Sequence, residues 1–197
     1  MAVVVEHEKR RREILDKALQ VFIDEGYEDA TFQKISDRCG ITRTTLYIYF
    51  RNKKEIFLWS IKQLTEKMGT DITSIVSDAN MSCSDRLEKI LSYVISGCSE
   101  NKTLFSVILT YLLQLAKTGK DPDTKVRRRT IRLRHLLSRV VIEGVQKGEF
   151  KKTNIKAADD MLYCFVESCI FRLAVLGKTN MDDMKDVIHL AVSSMKK

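Results

Sequence analysis

Residues 41–56, ITRTTLYIYFRNKKEI, follow a glycine, Gly40, and gather three threonines, two tyrosines and four basic side chains (Arg43, Arg51, Lys53, Lys54) into sixteen positions. So short a piece buries little by itself. Thr42 is placed to cap a helix running to about Tyr49. Leu46 and Phe50 are four residues apart and share one face of it. With Ile41 beside them, they anchor the helix from behind. The sector left outward is Arg43, Thr44, Thr45, Tyr47 and, in part, Ile48 and Tyr49.

Those outward groups suit the major groove of duplex DNA. An arginine presents a fork of donors that fits a guanine edge, and a threonine offers a hydroxyl and a thymine-seeking methyl. Tyrosine hydroxyls reach phosphate oxygens at the groove wall. Asn52 begins the next helix, with Asn52-x-x-Glu55 as a variant capping box. Lys53 and Lys54 fall in its first turn, where free N–H groups already favour an anion. Lysine does little for helix stability there, so an external phosphate is expected.

Upstream, Ile14, Leu15, Ala18, Leu19 and Phe22 recur at helical spacing over 8–25, and Gly26 is placed as a left-handed cap. A short helix over 32–39 follows, with Thr31 at its cap and Phe32, Ile35 and Cys39 on one face. Thr31 and Gln33 stand at its start, where the logic of the helix N-terminus applies again. Gly40 and Ile41 make the tight turn. Two short helices joined by a glycine turn behind a longer one have the outline of a helix-turn-helix, with the reading motif at about 32–51. Lys9 to Arg12, KRRR, form a candidate arm along the DNA backbone or into the minor groove.

The whole chain is compatible with this outline. It has 197 residues, a formal charge of +8, eight glycines and a single proline. Scarce turn residues and no alternating pattern favour an all-α chain. Between Thr31 and Lys54 six basic residues face one acidic residue, Asp37, while 24–29 is acidic, so charge is placed rather than spread. No apolar run is long enough to span a membrane, and the N-terminus has the wrong charge order for a secretion signal, so a cytoplasmic protein is expected. Five dispersed cysteines without a C-x-x-C pair read as apolar fillers, and no metal or cofactor is expected. Asn80 and Asn101 head N-x-S/T triplets of no consequence in such a compartment.

ILDKALQVFIDEGYEDATFQKISDRCGI and TRTTLYIYFRNKKEIF together resemble the N-terminal domain of the tetracycline-repressor (TetR) family of bacterial transcription regulators. The resemblance covers about residues 10–58. Thr44 stands where the family commonly has glycine, and Ser36 where it has alanine. The resemblance implies an all-helical homodimer. It implies phosphate contacts for Tyr47, Tyr49 and Lys53, and base-facing roles for Gln33, Arg43, Thr44 and Thr45. It further implies an effector pocket in the C-terminal domain whose occupancy releases operator DNA. The expected domains are 9–69 for DNA binding and 70–197 for effector binding and dimerisation.

The long helix from Asn52 is expected to reach about Ser77. Further helices are expected over 84–99, 102–117, 122–147, 155–176 and 181–195, for about nine in all. Asp121-Pro122 and Asn180-x-x-Asp183 are start signals; Gly148 and Gly177 are stops. The stretch 157–176 is apolar almost all round and must be covered on several sides. With the last helix it is expected to pair with its symmetry mate through Met161, Phe165, Cys169, Met184, Ile188, Ala191 and Met195; a buried core helix is the alternative. Trp59, Tyr93, Phe105, Tyr111 and Phe165 are candidates for an effector pocket, although aromatics at helical spacing serve more often as core. The basic run RRRTIRLRH (127–135) suits an anionic effector or a solvated face.

Two other classes weigh less. Catalysis lacks support: there is no H-E-x-x-H, G-x-S-x-G or G-x-G-x-x-G, and LGKT (176–179) has Arg172 where a phosphate loop needs glycine. A helical RNA or partner adaptor would share the basic surface but lack sequence-specific, salt-sensitive binding to duplex DNA.

Overall fold

The computed structural model describes residues 2–119, 124–177 and 181–197. The start signals at Asp121-Pro122 and Asn180, and the side chains of 127–130, lie outside the described residues. Nine α-helices are described, in the order α1 (Ala2–Asp29), α2 (Phe32–Cys39), α3 (Arg43–Tyr49), α4 (Lys53–Val76), α5 (Cys83–Glu100), α6 (Lys102–Lys117), α7 (Thr124–Lys147), α8 (Ile155–Phe171) and α9 (Met181–Ser193). A π-helical turn, Arg172–Leu176, continues α8. No strand is described; a lone antiparallel bridge joins Phe150 to Lys196.

The helix ends follow capping chemistry. Thr31 Oγ1 accepts from the Lys34 N–H at 3.2 Å, and Thr42 Oγ1 from the Thr45 N–H at 3.1 Å. Asn52 Oδ1 accepts from the Glu55 N–H, and Glu55 Oε2 accepts in return from the Arg51 N–H, both at 2.8 Å, so the asparagine box forms. Gly40 takes the left-handed conformation (φ 68°, ψ 37°), which lets its own N–H reach Asp37 O and that of Ile41 reach Ser36 O. Ser82 caps α5, which starts at Cys83, one residue before the expected 84.

Two boundaries differ from expectation. The first helix begins at Ala2, and it does not stop at Gly26: that residue (φ 81°, ψ 169°) makes a kink, after which helix resumes to Asp29. Extended ψ re-aims the chain instead of closing a cap. At the other end, α8 gives way at Arg172 to the wider π turn before Gly177 ends it in the left-handed region.

The chain divides into two compact units, Met1–Lys67 and Met68–Lys197, with the division inside α4. In the first, Ile14, Leu15, Ala18, Phe22, Ile35, Leu46, Phe50, Ile56 and Phe57 form a core that closes α1, α2, α3 and the start of α4 on one another. Ser60 Oγ donates to Leu15 O inside it, at 2.9 Å. In the second, Leu87, Ile90, Leu91, Val94 and Ile95 put α5 at the centre, and it packs against α6, α7, α8 and α9.

One ion pair is built into this second unit. The Arg86 side chain is 2% exposed; its guanidinium donates to Val76 O at 2.7 Å and to both Glu143 oxygens at 3.0 and 2.7 Å. Those bonds from Arg86, with Lys147 second, hold the Glu143 carboxyl at about 2, below its ordinary 4.5. A depressed carboxyl adds stability above its unfolded value and loses it as pH falls. Glu143→Gln is therefore expected to lower stability at neutral pH and to flatten the acid limb between pH 4.5 and about 2, as read by urea melts across that window. Glu143→Ala, which strands a buried cation, is expected to cost about 2–3 kcal/mol, reduced by the partial exposure of the carboxylate.

Candidate nucleic-acid interface

A seven-residue helix gains little from its own hydrogen bonds, so α3 persists because of what holds it. Leu46 and Phe50 are 0% and 1% exposed beneath it. Their burial turns the rest of the helix outward. Arg43 and Thr44 are exposed, and among the described residues neither side chain has a hydrogen-bond or ion-pair partner. Thr45 is half-buried, with its hydroxyl 2.9 Å from that of Thr42. Tyr47 and Ile48 are exposed. The Tyr47 ring stacks on Phe32 of α2 at 4.6 Å between centroids, which fixes the hydroxyl end outward. Tyr49 is half-buried and stacks on His7 of α1. Gln33 is exposed at the start of α2 and donates to Asp37 Oδ1 at 2.7 Å; Thr31 precedes it as the cap.

The basic residues divide more sharply than the sequence indicates. Lys34 pairs with Glu25 at 2.7 Å and Arg38 with Asp24 at 3.0 Å. Gln20 and then Arg38 hold the Asp24 carboxyl below its ordinary value by hydrogen bonding. Asp24 and Glu25 of the acidic 24–29 segment thus meet α2 on the surface of the fold. Lys53 is not waiting for an anion. Its Nζ donates to Glu28 O at 2.8 Å and lies over the Tyr27 ring at 4.7 Å. A phosphate contact by Lys53 requires exchanging that bond. Lys54 is exposed beside it. The guanidinium facing outward on the reading helix itself is that of Arg43.

Of the residues expected to line an effector pocket, one stands in the N-terminal unit and four in the second. Trp59 lies in the N-terminal unit, with the Arg11 guanidinium and the Lys62 ammonium each 4.4 Å from its ring. Tyr93 donates to Asp71 Oδ2 at 2.5 Å, a bond that raises its phenol above the ordinary value. Phe105 and Phe165 pack half-buried against the central core, and Tyr111 is buried. All four behave as core. A hollow in the second unit is lined instead by Thr70, Thr73, Ser74, Ser77 and Asp78, which carry no distinctive sequence signal, together with Arg132 of the basic run 127–135.

The expected dimer residues are also largely on the wrong side. Cys169, Met184, Ile188 and Met195 are buried in the chain's own core, and Ala191 and Phe165 are half-buried. Only Met161 of that set is exposed. The apolar stripe marks the inward face. Outward stand Met161, Phe171, Val175 and Leu176 of α8 and its π turn, with Val187 and Leu190 of α9. Burial raises the thiols of Cys39, Cys83 and Cys169, and pushes that of Cys98 up to about 12, as fits apolar fillers.

Because α3 depends on its cap and its two anchors, Thr42→Ala is expected to cost about 1 kcal/mol, and Thr42→Ser much less. Leu46→Ala is expected to cost about 2–5 kcal/mol. Urea denaturation measures all three.

Residues 14–58 match the family model described as bacterial regulatory proteins, tetR family. The chain is similar to a fatty acid metabolism regulator protein of Bacillus subtilis (strain 168), 26% identical over 161 residues covering 80% of each protein. It is also similar to the transcriptional regulator BetI of Escherichia coli O127:H6, 25% identical over 174 residues covering 86% of this chain and 84% of that protein. The fold matches a TetR transcription regulator from Haloarcula marismortui with a TM-score of 0.81 at 19% identity, covering 96% and 100% of the two chains. It matches FadR from Bacillus subtilis in complex with stearoyl-CoA with a TM-score of 0.71 at 21% identity, covering 93% and 98%. With residues 14–58 matched to the tetR family of bacterial regulatory proteins and the chain in the fold of TetR regulators, the comparisons together indicate a DNA-binding transcriptional regulator of TetR type.

Proposed function

We propose that the protein is a homodimeric repressor that holds a near-palindromic operator and releases it when a small molecule occupies residues 70–197. The observation that carries this is the surface of α3: Arg43, Thr44 and Tyr47 face outward while Leu46 and Phe50 are buried behind them. In this reading Arg43, Thr44, Thr45 and Gln33 face bases, and Tyr47, Tyr49 and Lys54 meet phosphates, with Thr31 at the same helix end. Lys53 joins them only by giving up Glu28 O. The compact units on either side of residue 67 support a division of labour at about residues 69 and 70.

The apolar surface of α8 and α9 supports the homodimer. Six large apolar side chains there are at least 40% exposed, up to 70% for Leu190. Exposed apolar side chains gathered on two helices are what a partner surface would cover. Two-fold pairing through it would set two reading helices on half-sites about 34 Å apart or a multiple of it. No helix among the described residues is long and apolar enough to cross a membrane, in keeping with a regulator working in the cytoplasm.

The effector class that the relatives favour is a fatty acyl-CoA. A fatty acid metabolism regulator aligns along most of the chain, and a structural neighbour is described with stearoyl-CoA bound. Release would follow if the ligand binds better to the form that cannot span both half-sites.

Operator binding is tested by fluorescence anisotropy on a duplex enriched by the protein from a randomised pool. Arg43→Ala is expected to cost about 1–3 kcal/mol and to relax one base position, while a phosphate contact such as Lys54→Ala weakens all sequences alike. Equal losses on selected and random duplex for both variants would overturn the assignment of roles. Leu190→Asp is expected to yield a folded monomer by light scattering with weakened operator binding. Saturated acyl-CoAs are expected to release DNA where free CoA does not; no release by any of them would exclude this effector class.

A further inference from the structure

The first helix begins at Ala2, and from Val5 onward the first buried side chain among the described residues is Ile14. This extension before Ile14 is docked. The Arg11 guanidinium lies over the rings of Phe50 and Trp59, at 5.1 and 4.4 Å. Gln63 Nε2 donates to Arg12 O at 3.1 Å. One turn further out, the His7 ring stacks on Tyr49, with centroids 4.6 Å apart and planes 22° from parallel. The extension therefore grips the C-terminal end of the reading helix at two successive residues, Tyr49 and Phe50.

The two grips differ in purpose. Phe50 is buried and belongs to the anchor of α3. Tyr49 is half-buried and His7 is exposed, so their stack adds little to the core. It does remove freedom from the Tyr49 ring. The cleft beside it is lined by Glu6, His7, Lys9, Arg10, Glu13 and Tyr49. Its fixed charges are two of each sign, and Arg10 already pairs with Glu13 at 2.9 Å. The cleft offers little net attraction for phosphate. What His7 supplies is position.

We infer that His7 is a positioning residue for DNA binding: its ring, stacked on Tyr49, sets the Tyr49 hydroxyl in place for a phosphate before DNA arrives. This rests on the proposed phosphate contact of Tyr49. Ordering a side chain only on binding costs roughly 2- to 10-fold in affinity, and that is the advantage the stack confers.

The test is anisotropy of the full chain on the selected duplex, with thermal melts to confirm folding. Tyr49→Phe keeps the ring and removes the hydroxyl; about a tenfold loss is expected. His7→Ala is expected to lose roughly 2- to 10-fold, and His7→Phe, which keeps a stacking ring, to stay within about twofold of the native protein. Adding His7→Ala to Tyr49→Phe is expected to cost nothing more, because the hydroxyl it positions is gone. A neutral Tyr49→Phe would remove the phosphate contact itself. A loss for Tyr49→Phe with a neutral His7→Ala would overturn the positioning role alone. Equal losses for His7→Ala and His7→Phe, or independent losses in the double variant, would show His7 acting by direct contact and overturn it too.

Discussion

The burial of Leu46 and Phe50 decides what this protein can do. A helix as short as α3 has no stability of its own in water, so its orientation is dictated by the two side chains it inserts into the core of α1, α2 and α4. Once both are inside, every other position of α3 is assigned: Arg43, Thr44, Tyr47 and Ile48 must face out. The Thr42 cap and the left-handed Gly40 fix where the helix starts and how the chain enters it. The recognition surface follows from packing, which is why it survives in so small an element.

The same economy governs charge. Six basic residues crowd residues 31–54, yet three of them serve the fold. Lys34 and Arg38 clamp α2 to the acidic end of α1, and Lys53 ties the start of α4 to Glu28 O and Tyr27. Surface ion pairs of this kind contribute little energy each. Their effect here is geometric: they hold three helix ends in register around α3 and leave the Arg43 guanidinium facing outward. Net charge pointed to nucleic acid, but the charges that count are fewer than the sum.

The N-terminal fold was legible because its signals are local. Thr31, Gly40, Thr42 and Asn52 act within four residues of themselves, and a one-dimensional string carries such rules intact. The second unit was less so. Periodicity marks 157–176 as apolar almost all round and gives the last helix an apolar stripe, but it cannot say which apolar residues meet their own chain, and Cys169, Met184, Ile188 and Met195 turn inward. Large aromatics drew attention to Trp59, which two cations enclose in the other unit, and to Tyr93, Phe105, Tyr111 and Phe165, which fill the core. The hollow that is present is lined by threonines, serines, Asp78 and Arg132, whose types are common on any exposed helix. The first helix was read as starting at residue 8 because nothing apolar repeats before Ile14; its extension is held by rings and a guanidinium rather than by an apolar stripe.

The π turn at the end of α8 connects these observations. An α-helix carried straight through Leu176 would rotate its apolar residues onto a single drifting stripe. The π turn replaces i→i+4 with i→i+5 bonding and so changes the phase of the side chains that follow, and such turns are frequent at functional sites. Leu173 stays inward at 5% exposure while Phe171, Val175 and Leu176 remain more than half exposed. Ser106 Oγ donates to Ala174 O at 2.8 Å, satisfying a carbonyl displaced from the regular ladder and pinning the turn to α6. The helix thereby keeps apolar side chains on two sides, Leu173 toward its own core and Phe171, Val175 and Leu176 outward. Leaving the outward face in water forfeits about 25 cal/mol for each square ångström that a partner could cover. A surface maintained at that cost by a specific backbone irregularity is best understood as the seat of the proposed dimer.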